Sequence, residues 1–323
     1  MPVRGTTQNP TIGLYRKGTH QVTPIPDCRI HHPAINKAIE FVREWIISEH
    51  IAPYDEVHGR GVLRYIQCVV ERSTQKVQLT LVLNASTAET VAWTNKTRSL
   101  WKQQRPFWHS IWLNFNLRRD NVIFGHDWHR SHGDEFLWEK LNGVDVCFQP
   151  ASFAQANLDQ FEKILETIKD RIPSNAKVAE LYAGVGVIGL SLADKCDSIV
   201  CSDVNASGSR CFESARKRLQ SDVAAKISWI VGDASKDASL LDNADTVIVD
   251  PPRAGLHRLL LETFESSPSI TDLIYVSCGW PSFKRDYQIL LSQGWGMDHI
   301  ELHLLFPGSN HIETVAFFKR RAK

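Results

Sequence analysis

Residues 178–192 read Val178-Ala179-Glu180-Leu181-Tyr182-Ala183-Gly184-Val185-Gly186-Val187-Ile188-Gly189-Leu190-Ser191-Leu192, two apolar runs separated by closely spaced glycines. This pattern predicts a buried strand, a tight turn and the start of a helix. Gly184 and Gly186 permit a turn whose backbone approaches a ligand, and Gly189 lets the helix pack close to the strand. The spacing matches a nucleotide-cofactor loop, but one such match is weak evidence because ordinary strand-to-helix turns also use glycine.

Three more apolar runs follow the glycine loop, and each leads into a carboxylate. They cover residues 198–202, 227–231 and 246–249 and are followed by Asp203, Asp233 and Asp250. In an open α/β sheet, ligands bind outside the carboxyl ends of the strands, where Asp203 could accept both ribose hydroxyls of a nucleoside. Together with Glu180 these carboxylates predict an anionic rim, which suits a cationic sulfonium cofactor better than a pyrophosphate.

The composition is that of a water-soluble globular protein large enough for two domains. The chain has 323 residues, of which 43% are hydrophobic and 23% are charged, and no apolar run reaches the length of a membrane span. The formal net charge is only +1, so a nucleic-acid surface would have to be a local patch. We expect no membrane association and no obligate protein partner.

The cysteines are scattered singly, without a CxxC pair, and therefore indicate reduced thiols. They are Cys28, Cys68, Cys147, Cys196, Cys201, Cys211 and Cys278. The first residues lack the charged-then-apolar pattern of a signal peptide. A cytoplasmic location is the default expectation, with an organelle as the alternative.

Residues 1–150 predict a mixed α/β unit without a cofactor loop. Helices are expected from Pro33 to about Glu49 and over about 87–103, and a hairpin over 62–71 and 76–83 with Arg64 and Gln67 facing solvent. Further strands are expected at 108–116 and 121–124, and residues 138–141 and 144–148 are expected to extend the same sheet.

This first unit combines aromatic and basic residues, which is what a surface for single-stranded RNA requires. The candidates are Arg64, Lys96, Arg98, Trp101, Lys102, Arg105, Trp108, Arg118, Arg119, Trp128, His129 and Arg130. The alternative is that the tryptophans belong to the core and the charges only solvate the surface. Composition alone leaves both interpretations open.

A fifth apolar run in the second half of the chain places a thiol at the predicted ligand edge. Residues 273–277 predict a buried strand, and Cys278 follows it directly. Cys278 is a candidate nucleophile, and a nearby Arg253 or a bound sulfonium could lower its pKa. Glu313 lies at the start of a predicted terminal strand, where a carboxylate is more often an ordinary surface group.

Five motifs, taken in order, resemble those of the RNA uracil-5-methyltransferase family. They are Phe153-Ala154-Gln155-Ala156-Asn157, the glycine loop, Asp250-Pro251-Pro252-Arg253-Ala254-Gly255, Tyr275-Val276-Ser277-Cys278 with Arg285-Asp286, and His311-Ile312-Glu313. Residues 13–33 and 121–125 are also similar to that family's central domain. The resemblance implies an α/β fold with a Rossmann-like class I methyltransferase domain at 151–323 and a mixed α/β central domain at 1–150.

The resemblance also implies a cofactor, a substrate and the roles of individual residues. S-adenosylmethionine would be contacted, or its pocket shaped, by Gln155, Tyr182, Gly184, Asp203, Asp233 and Asp250. Cys278 would be the nucleophile that adds to C6 of a uridine in tRNA or rRNA, and Glu313 the base that removes the C5 proton. The target base would have to leave its stack to be reached.

The sequence departs from the family pattern at several positions. Gly279-Trp280 replaces the usual Asn-Pro after the nucleophile, and Val187 stands where a polar residue often follows the glycine loop. The amino-terminal nucleic-acid-binding barrel of many members is not expected. Cys28 resembles one ligand of the iron–sulfur cluster that some members carry, but without the accompanying upstream cysteines we expect no cluster and no metal.

Two other functions compete with this interpretation. An RNA cytosine-5-methyltransferase would use the same covalent logic but would be expected to carry a cysteine after the Asp-Pro motif, where this chain has Arg253. A noncatalytic RNA-binding protein of the same fold is the alternative from a different class, favoured by the altered Gly279-Trp280 segment.

Overall fold

The strands form four separate sheets in a computed structural model that describes residues 1–309 and 311–321. Contacts divide the chain into two units, Met1–Glu139 and Lys140–Lys323. Residues 310, 322 and 323, the last two of which end the predicted 151–323 domain, lie outside the described part. The division precedes the boundary predicted near residue 150, because residues 144–148 contact a helix of the second unit and the Cys147 thiol donates a hydrogen bond to the Cys211 carbonyl at 3.3 Å.

The first unit combines a three-stranded antiparallel sheet, β1-β2-β3, with a four-stranded sheet, β4-β5-β6-β7, in which β5 and β6 are parallel. Its elements are β1 (Val3–Gly5), β2 (Pro10–Tyr15), β3 (Val22–Pro24), α1 (Pro33–Ser48), β4 (Leu63–Val70), β5 (Val77–Leu83), α2 (Thr90–Gln103), β6 (Trp108–Phe115) and β7 (Asp127–Gly133). A short 3₁₀ turn at Thr87–Glu89 precedes α2. The predicted α1, α2 and β4–β5 hairpin are confirmed.

Arg64 is buried on β4, and the prediction that it faces solvent is wrong. Its side chain is 2% exposed, and its guanidinium donates hydrogen bonds to the carbonyls of Asn116 at 2.7 Å and Arg118 at 2.6 Å. The same group lies 4.8 Å from the centre of the Tyr54 ring. Since these partners satisfy a charge that burial would otherwise destabilise, Arg64 is a structural residue of this unit.

Residues 121–124 are not a strand, although their composition predicted one. The Asn116 side-chain amide donates hydrogen bonds to the Val122 carbonyl at 2.8 Å and the Ile123 carbonyl at 3.0 Å. These two carbonyls therefore bind a side chain, whereas in a strand they would accept hydrogen bonds from the backbone of a neighbouring strand. The strand that pairs with β6 on the side away from β5 is β7, which was not predicted because it is polar. Such polarity suits an edge strand, whose outer side has no neighbouring strand to pack against.

The residues expected to extend this sheet form a sheet of their own. β8 (Leu137–Leu141) and β9 (Val144–Phe148) are a two-stranded sheet, joined by a tight turn in which Asn142 and Gly143 both have positive φ. Because the turn folds β9 back onto β8, neither strand continues the β4–β7 ladder.

The second unit is a doubly wound α/β unit around one seven-stranded sheet of order β12-β11-β10-β13-β14-β16-β15. Its elements are α3 (Leu158–Arg171), β10 (Lys177–Leu181), α4 (Val187–Leu192), β11 (Ser198–Asp203), α5 (Gly208–Arg216), α6 (Ser221–Ala224), β12 (Ile227–Val231), β13 (Thr246–Val249), α7 (Arg258–Ser266), β14 (Asp272–Ser277), α8 (Trp280–Ser292), β15 (Trp295–His303) and β16 (Glu313–Arg320). A 3₁₀ turn at Ala238–Leu241 precedes β13. All pairs are parallel except those made by β16. This order confirms the predicted Rossmann-like fold.

The sheet is held from one side by α7 and α8, whose apolar faces pack with the central strands. Phe264 of α7 and Leu290 of α8 are completely buried in one cluster with Tyr275 of β14. Burying each such side chain stabilises the fold by about 1.5–3 kcal/mol before opposing terms. The carboxyl ends of β10, β11, β13 and β14 are thereby fixed at one edge. Within the described residues, no helix is both long and apolar enough to cross a bilayer.

Candidate active site

The glycine loop between β10 and α4 has the backbone that its sequence predicts. Tyr182, Gly184 and Gly186 all have positive φ, of 60°, 56° and 75°. A side chain at Gly186 would bring its Cβ within 2.7 Å of the Phe212 ring, so only glycine fits there. Tyr182 holds the left-handed conformation without being glycine, a local strain that is concentrated at functional sites.

Glu180 lies beneath this loop. It is 2% exposed and accepts hydrogen bonds from the Gly189 amide at 2.8 Å and the Cys201 thiol at 3.0 Å. Burial raises the pKa of Glu180 to about 7. A Cβ at Gly189 would lie 2.6 Å from both the Glu180 carboxylate and Cys201 Sγ, which explains why a glycine is needed there.

Asp203, at the end of β11, supports the loop directly. One carboxylate oxygen accepts a hydrogen bond from the Gly184 amide at 2.9 Å, and the other accepts from the Asn205 amide at 2.8 Å. The side chain is only partly buried. Remaining lone pairs of this carboxylate can therefore accept hydrogen bonds from a ligand beside the loop.

A cleft with a cavity volume of about 60 Å³ opens above the loop. Four of the predicted cofactor residues line it, namely Gln155, Tyr182, Gly184 and Asp250. The remaining lining residues are Phe148, Phe153, Ala154, Leu158, Phe161, Glu180, Ala183, Val185, Val187 and Ile188. Asp203 and Asp233 are not among them.

The chemistry of the cleft fits a cation with apolar parts. The described residues that line it include two carboxylates and no Lys, Arg or His, so the cleft offers no positive charge to a pyrophosphate. A Cβ at Gly184 would meet no atom within 4 Å, so there is free space beside this glycine. The residues present therefore fit S-adenosylmethionine, whose charge is a sulfonium.

Asp233 lies beside the cleft. Its carboxylate accepts hydrogen bonds from the Ser235 hydroxyl at 2.6 Å and from Lys236 at 2.9 Å, and these partners hold its pKa well below the usual range. The pKa of the Tyr182 phenol is raised mainly by burial and, to a smaller extent, by the charge of Asp233. Asp233 is thus near enough to Tyr182 to influence the cleft electrostatically.

Asp250 connects the cleft to a second group of charged residues. Burial raises the pKa of Asp250 to about 8, with further contributions from the Glu313 and Glu180 carboxylates. Because Asp250 lines the cleft and also lies within electrostatic range of Glu313, the glycine loop and the start of β16 belong to one site.

Cys278 and Glu313 come together through the antiparallel pairing of β14 with β16. Ser277 pairs with Thr314, so the next residue on each strand, Cys278 and Glu313, lies at the same end of the ladder. Glu313 is 7% exposed, and its burial raises the pKa of its carboxyl group, against the effect of the Arg253 cation.

The expected lowering of the Cys278 pKa is not found. The thiol is half-buried, and this burial is the main cause that raises its pKa. The negative charges of Glu313 and Asp250 raise the pKa further. Arg253 acts in the predicted direction but is outweighed. These surroundings therefore disfavour the thiolate form of Cys278.

Sequence reasoning assigned no role to Asp286, which organises the loop after β13. Asp286 is completely buried and accepts hydrogen bonds from the Tyr275 hydroxyl and the Leu256 amide, both at 2.8 Å. The adjacent Arg285 donates to the other Asp286 oxygen and to the Ala254 carbonyl. The sequence feature that could have indicated this role is the position of Asp286 on the apolar face of α8, between Phe283 and Leu290.

The RNA candidates of the first unit divide into buried and exposed residues. Trp108, like Arg64, is buried and belongs to the core. The exposed cations are Lys96, Arg98, Lys102, Arg105, Arg118, Arg119 and Arg130. Trp101, Trp128 and His129 are half-buried, and Trp101 stacks on His132 with ring centres 5.6 Å apart. A basic surface with accessible aromatic edges remains.

Comparison with known proteins gives consistent results for sequence and structure. The methyltransferase small domain family matches residues 143–279. An uncharacterised RNA methyltransferase of Protochlamydia amoebophila is 47% identical over 99% of this chain and 84% of its own length. Another from Caldanaerobacter subterraneus is 27% identical over 95% of this chain and 68% of its own.

Among solved structures, one similar protein is the Pyrococcus abyssi tRNA (uracil-54, C5)-methyltransferase in complex with S-adenosyl-L-homocysteine. It superposes with a TM-score of 0.78 and 25% identity, covering 94% of this chain and 71% of that one. A Streptococcus mutans protein described as a putative SAM-dependent methyltransferase shares the fold, with a TM-score of 0.50 and 13% identity over 82% of this chain and 73% of that one.

Proposed function

The chain belongs to the RNA methyltransferase family, and we propose that it methylates C5 of uridine in tRNA or rRNA with S-adenosylmethionine as methyl donor. The observation that carries the proposal is the β14–β16 register, which brings a thiol and a carboxylate to one ladder end beside the cleft. Methylation at uracil C5 needs these two groups, because C5 is a poor nucleophile until a thiolate has added to C6.

The cleft holds the methyl donor in this proposal. When bound, S-adenosylmethionine supplies an electrophilic methyl group on a positively charged sulfur. Gln155, Tyr182, Gly184 and Asp250 line its site. Asp203 fixes the loop through Gly184 and keeps lone pairs for the ribose hydroxyls, and Asp233 influences the cleft through Tyr182.

Cys278 and Glu313 act at successive steps on the flipped uracil. The Cys278 thiol gives up its proton to water, and a bond forms between Sγ and C6 as the C5–C6 double bond opens, which converts the ring to an enolate with nucleophilic C5. After C5 has gained its methyl group, Glu313 accepts the C5 proton, the electron pair restores the C5–C6 double bond and the bond between Sγ and C6 breaks. The raised Glu313 pKa makes its carboxylate a better proton acceptor.

The experiment that tests the proposal compares Cys278→Ala and Glu313→Gln. Wild type should form a denaturation-resistant adduct with RNA that contains 5-fluorouridine, and Cys278→Ala should form none. Glu313→Gln should accumulate a methylated adduct with ordinary RNA, because elimination lacks its base. Cys28→Ala, another partly buried cysteine, is the control and should behave like wild type. Methylation by Cys278→Ala at the wild-type rate would disprove the covalent mechanism.

We further propose that the first unit adds affinity for RNA through its exposed cations and half-buried aromatic rings. These cations lie on α2, in the turn between α2 and β6, on β7 and in the segment between β6 and β7. Phosphate contacts of this kind strengthen binding without reading sequence. If wild type binds RNA but methylates no uridine in any RNA offered, the noncatalytic alternative gains support.

A further inference from the structure

Trp280 is the one exposed tryptophan in the described part of the chain. Half of its surface, 50%, is open to solvent, whereas the other nine tryptophans are buried or half-buried. It begins α8 and lies two residues after Cys278. A large, half-exposed aromatic ring therefore lies close in the chain to the proposed nucleophile.

The backbone on which Trp280 sits is fixed. The Ser282 hydroxyl bridges the Gly279 carbonyl at 2.8 Å and the Arg253 carbonyl at 2.9 Å. A Cβ at Gly279 would lie 2.8 Å from Ser282 Oγ and 2.9 Å from the Arg253 carbonyl oxygen, so this close approach requires glycine. Pro281 further restricts the first turn of the helix.

The indole ring is supported from within the unit. Its centre lies 5.7 Å from that of Phe283 at an interplanar angle of 33°. Phe283 is 3% exposed and packs edge-on against Tyr275 of β14, with centres 5.3 Å apart. Trp280 is therefore held by a buried aromatic neighbour while half of its surface remains available.

We propose that Trp280 is a stacking platform for an unpaired base of the RNA substrate that neighbours the target uridine. This inference rests on the proposed function, because a uridine must leave its stack to reach Cys278 and so leaves its neighbours partly unstacked. An aromatic face can take up any such base, since every base has a π-face.

The distance along the chain suits an adjacent nucleotide. The Cα atoms of Cys278 and Trp280 are at most about 7 Å apart, so a base one step of about 3.4 Å along the strand from the target lies within this distance.

The test uses a single-stranded RNA probe with one uridine flanked by 2-aminopurine, whose fluorescence is quenched by stacking, and no methyl donor. Wild type and Trp280→Phe should quench it. Trp280→Ala should not quench it and should bind about tenfold more weakly, the size of one base–aromatic stacking interaction. Met297→Ala, at another exposed apolar residue of the same unit, should match wild type. The affinity of each variant for S-adenosylmethionine is compared with that of wild type, as a check that the fold is intact.

The outcomes separate this inference from the proposed function. If Trp280→Ala quenches and binds like wild type, the platform is disproved while uridine methylation stands. If wild type quenches the probe through Trp280 but captures no 5-fluorouridine RNA, methylation at C5 fails and the platform remains. A wild-type protein that neither binds nor quenches the probe overturns the platform. Loss of S-adenosylmethionine binding in Trp280→Ala together with retention in Trp280→Phe would assign the ring a structural role instead.

Discussion

The Tyr275 hydroxyl donates a hydrogen bond to Asp286 at 2.8 Å, to the same oxygen that accepts the Leu256 amide. Asp286 thereby joins β14, which ends one residue before Cys278, to the loop that follows Asp250. Gly255 has a φ of 80°, and a Cβ there would lie 2.5 Å from that oxygen. This buried carboxylate therefore positions the Arg253 loop beside the nucleophile.

Asp286→Ala should destabilise the protein strongly. It leaves the Tyr275 hydroxyl and the Leu256 amide buried without their acceptor, at a cost of about 1–3 kcal/mol each. Tyr275→Phe removes one donor and should cost about 1 kcal/mol. Urea unfolding measures both free energies. Equal effects of the two variants would contradict the role of Asp286 as a shared acceptor.

The sequence was most informative where local geometry determines structure. Gly186 and Gly189 predicted the loop because the turn and the helix contact each impose a steric limit that only glycine meets. The burial of Arg64 was not predictable in this way. The alternation of side chains along β4 assigns them to two faces of the sheet, but it does not show that both faces are covered by other parts of the protein. The partners of Arg64 are 52 and 54 residues away in the chain.

The pairing of Cys278 with Glu313 was accessible only through the family resemblance. The two residues come together because β16 pairs with β14 in antiparallel orientation, and no local sequence pattern predicts this strand order. The raised Cys278 pKa was missed for a related reason. Burial of the thiol, the largest cause, depends on how the chain packs, and the charge of Glu313 comes from β16, whereas Arg253 could be considered because it is close in sequence to Asp250.

Asp203→Ala should weaken S-adenosylmethionine binding about tenfold or more. The substitution removes the acceptor of the Gly184 amide and the proposed partner of the ribose hydroxyls, and hydrogen bonds to a charged group contribute about 1.5–3 kcal/mol. Isothermal titration calorimetry measures the affinity. Asp222→Ala, an exposed carboxylate in α6, is the control. No heat with wild type at millimolar cofactor would refute the cofactor assignment.

The free energy of unfolding should fall as pH rises toward 8, in part because of Asp250. Its pKa is raised from 3.8 to about 8, so the folded protein holds a proton that the unfolded chain has released. This contribution is fully present below about pH 4 and is lost as pH rises through 8, with a slope of at most about 1.4 kcal/mol per pH unit. Asp250→Asn should flatten this fall in urea titrations without cofactor. An unchanged slope would show that Asp250 titrates normally.

Affinity for single-stranded RNA should decrease with salt, and the exposed cations of the first unit should account for part of the slope. Replacing Lys96, Lys102 and Arg105 with alanine should reduce the slope of log K against log salt by about 0.7 for each phosphate that is no longer neutralised. Lys76→Ala, in the turn between β4 and β5, is the control and should leave the slope unchanged. Filter binding over a salt series provides the measurement. A triple variant with the wild-type slope would place the RNA elsewhere.

Cys278 should react faster with iodoacetamide when a cation occupies the cleft. The pKa of Cys278 is raised by burial and by the carboxylates of Glu313 and Asp250. A positive charge beside Asp250 would offset the effect of the two carboxylates. S-adenosylmethionine and S-adenosylhomocysteine make a matched pair, because they differ in the sulfonium methyl group and its charge. The rate of Cys278 alkylation, followed by peptide mass spectrometry, should therefore be higher with S-adenosylmethionine than with S-adenosylhomocysteine. The rate at Cys28 should be the same with both. Equal protection of Cys278 by the two ligands would show that access, and not charge, controls the thiol.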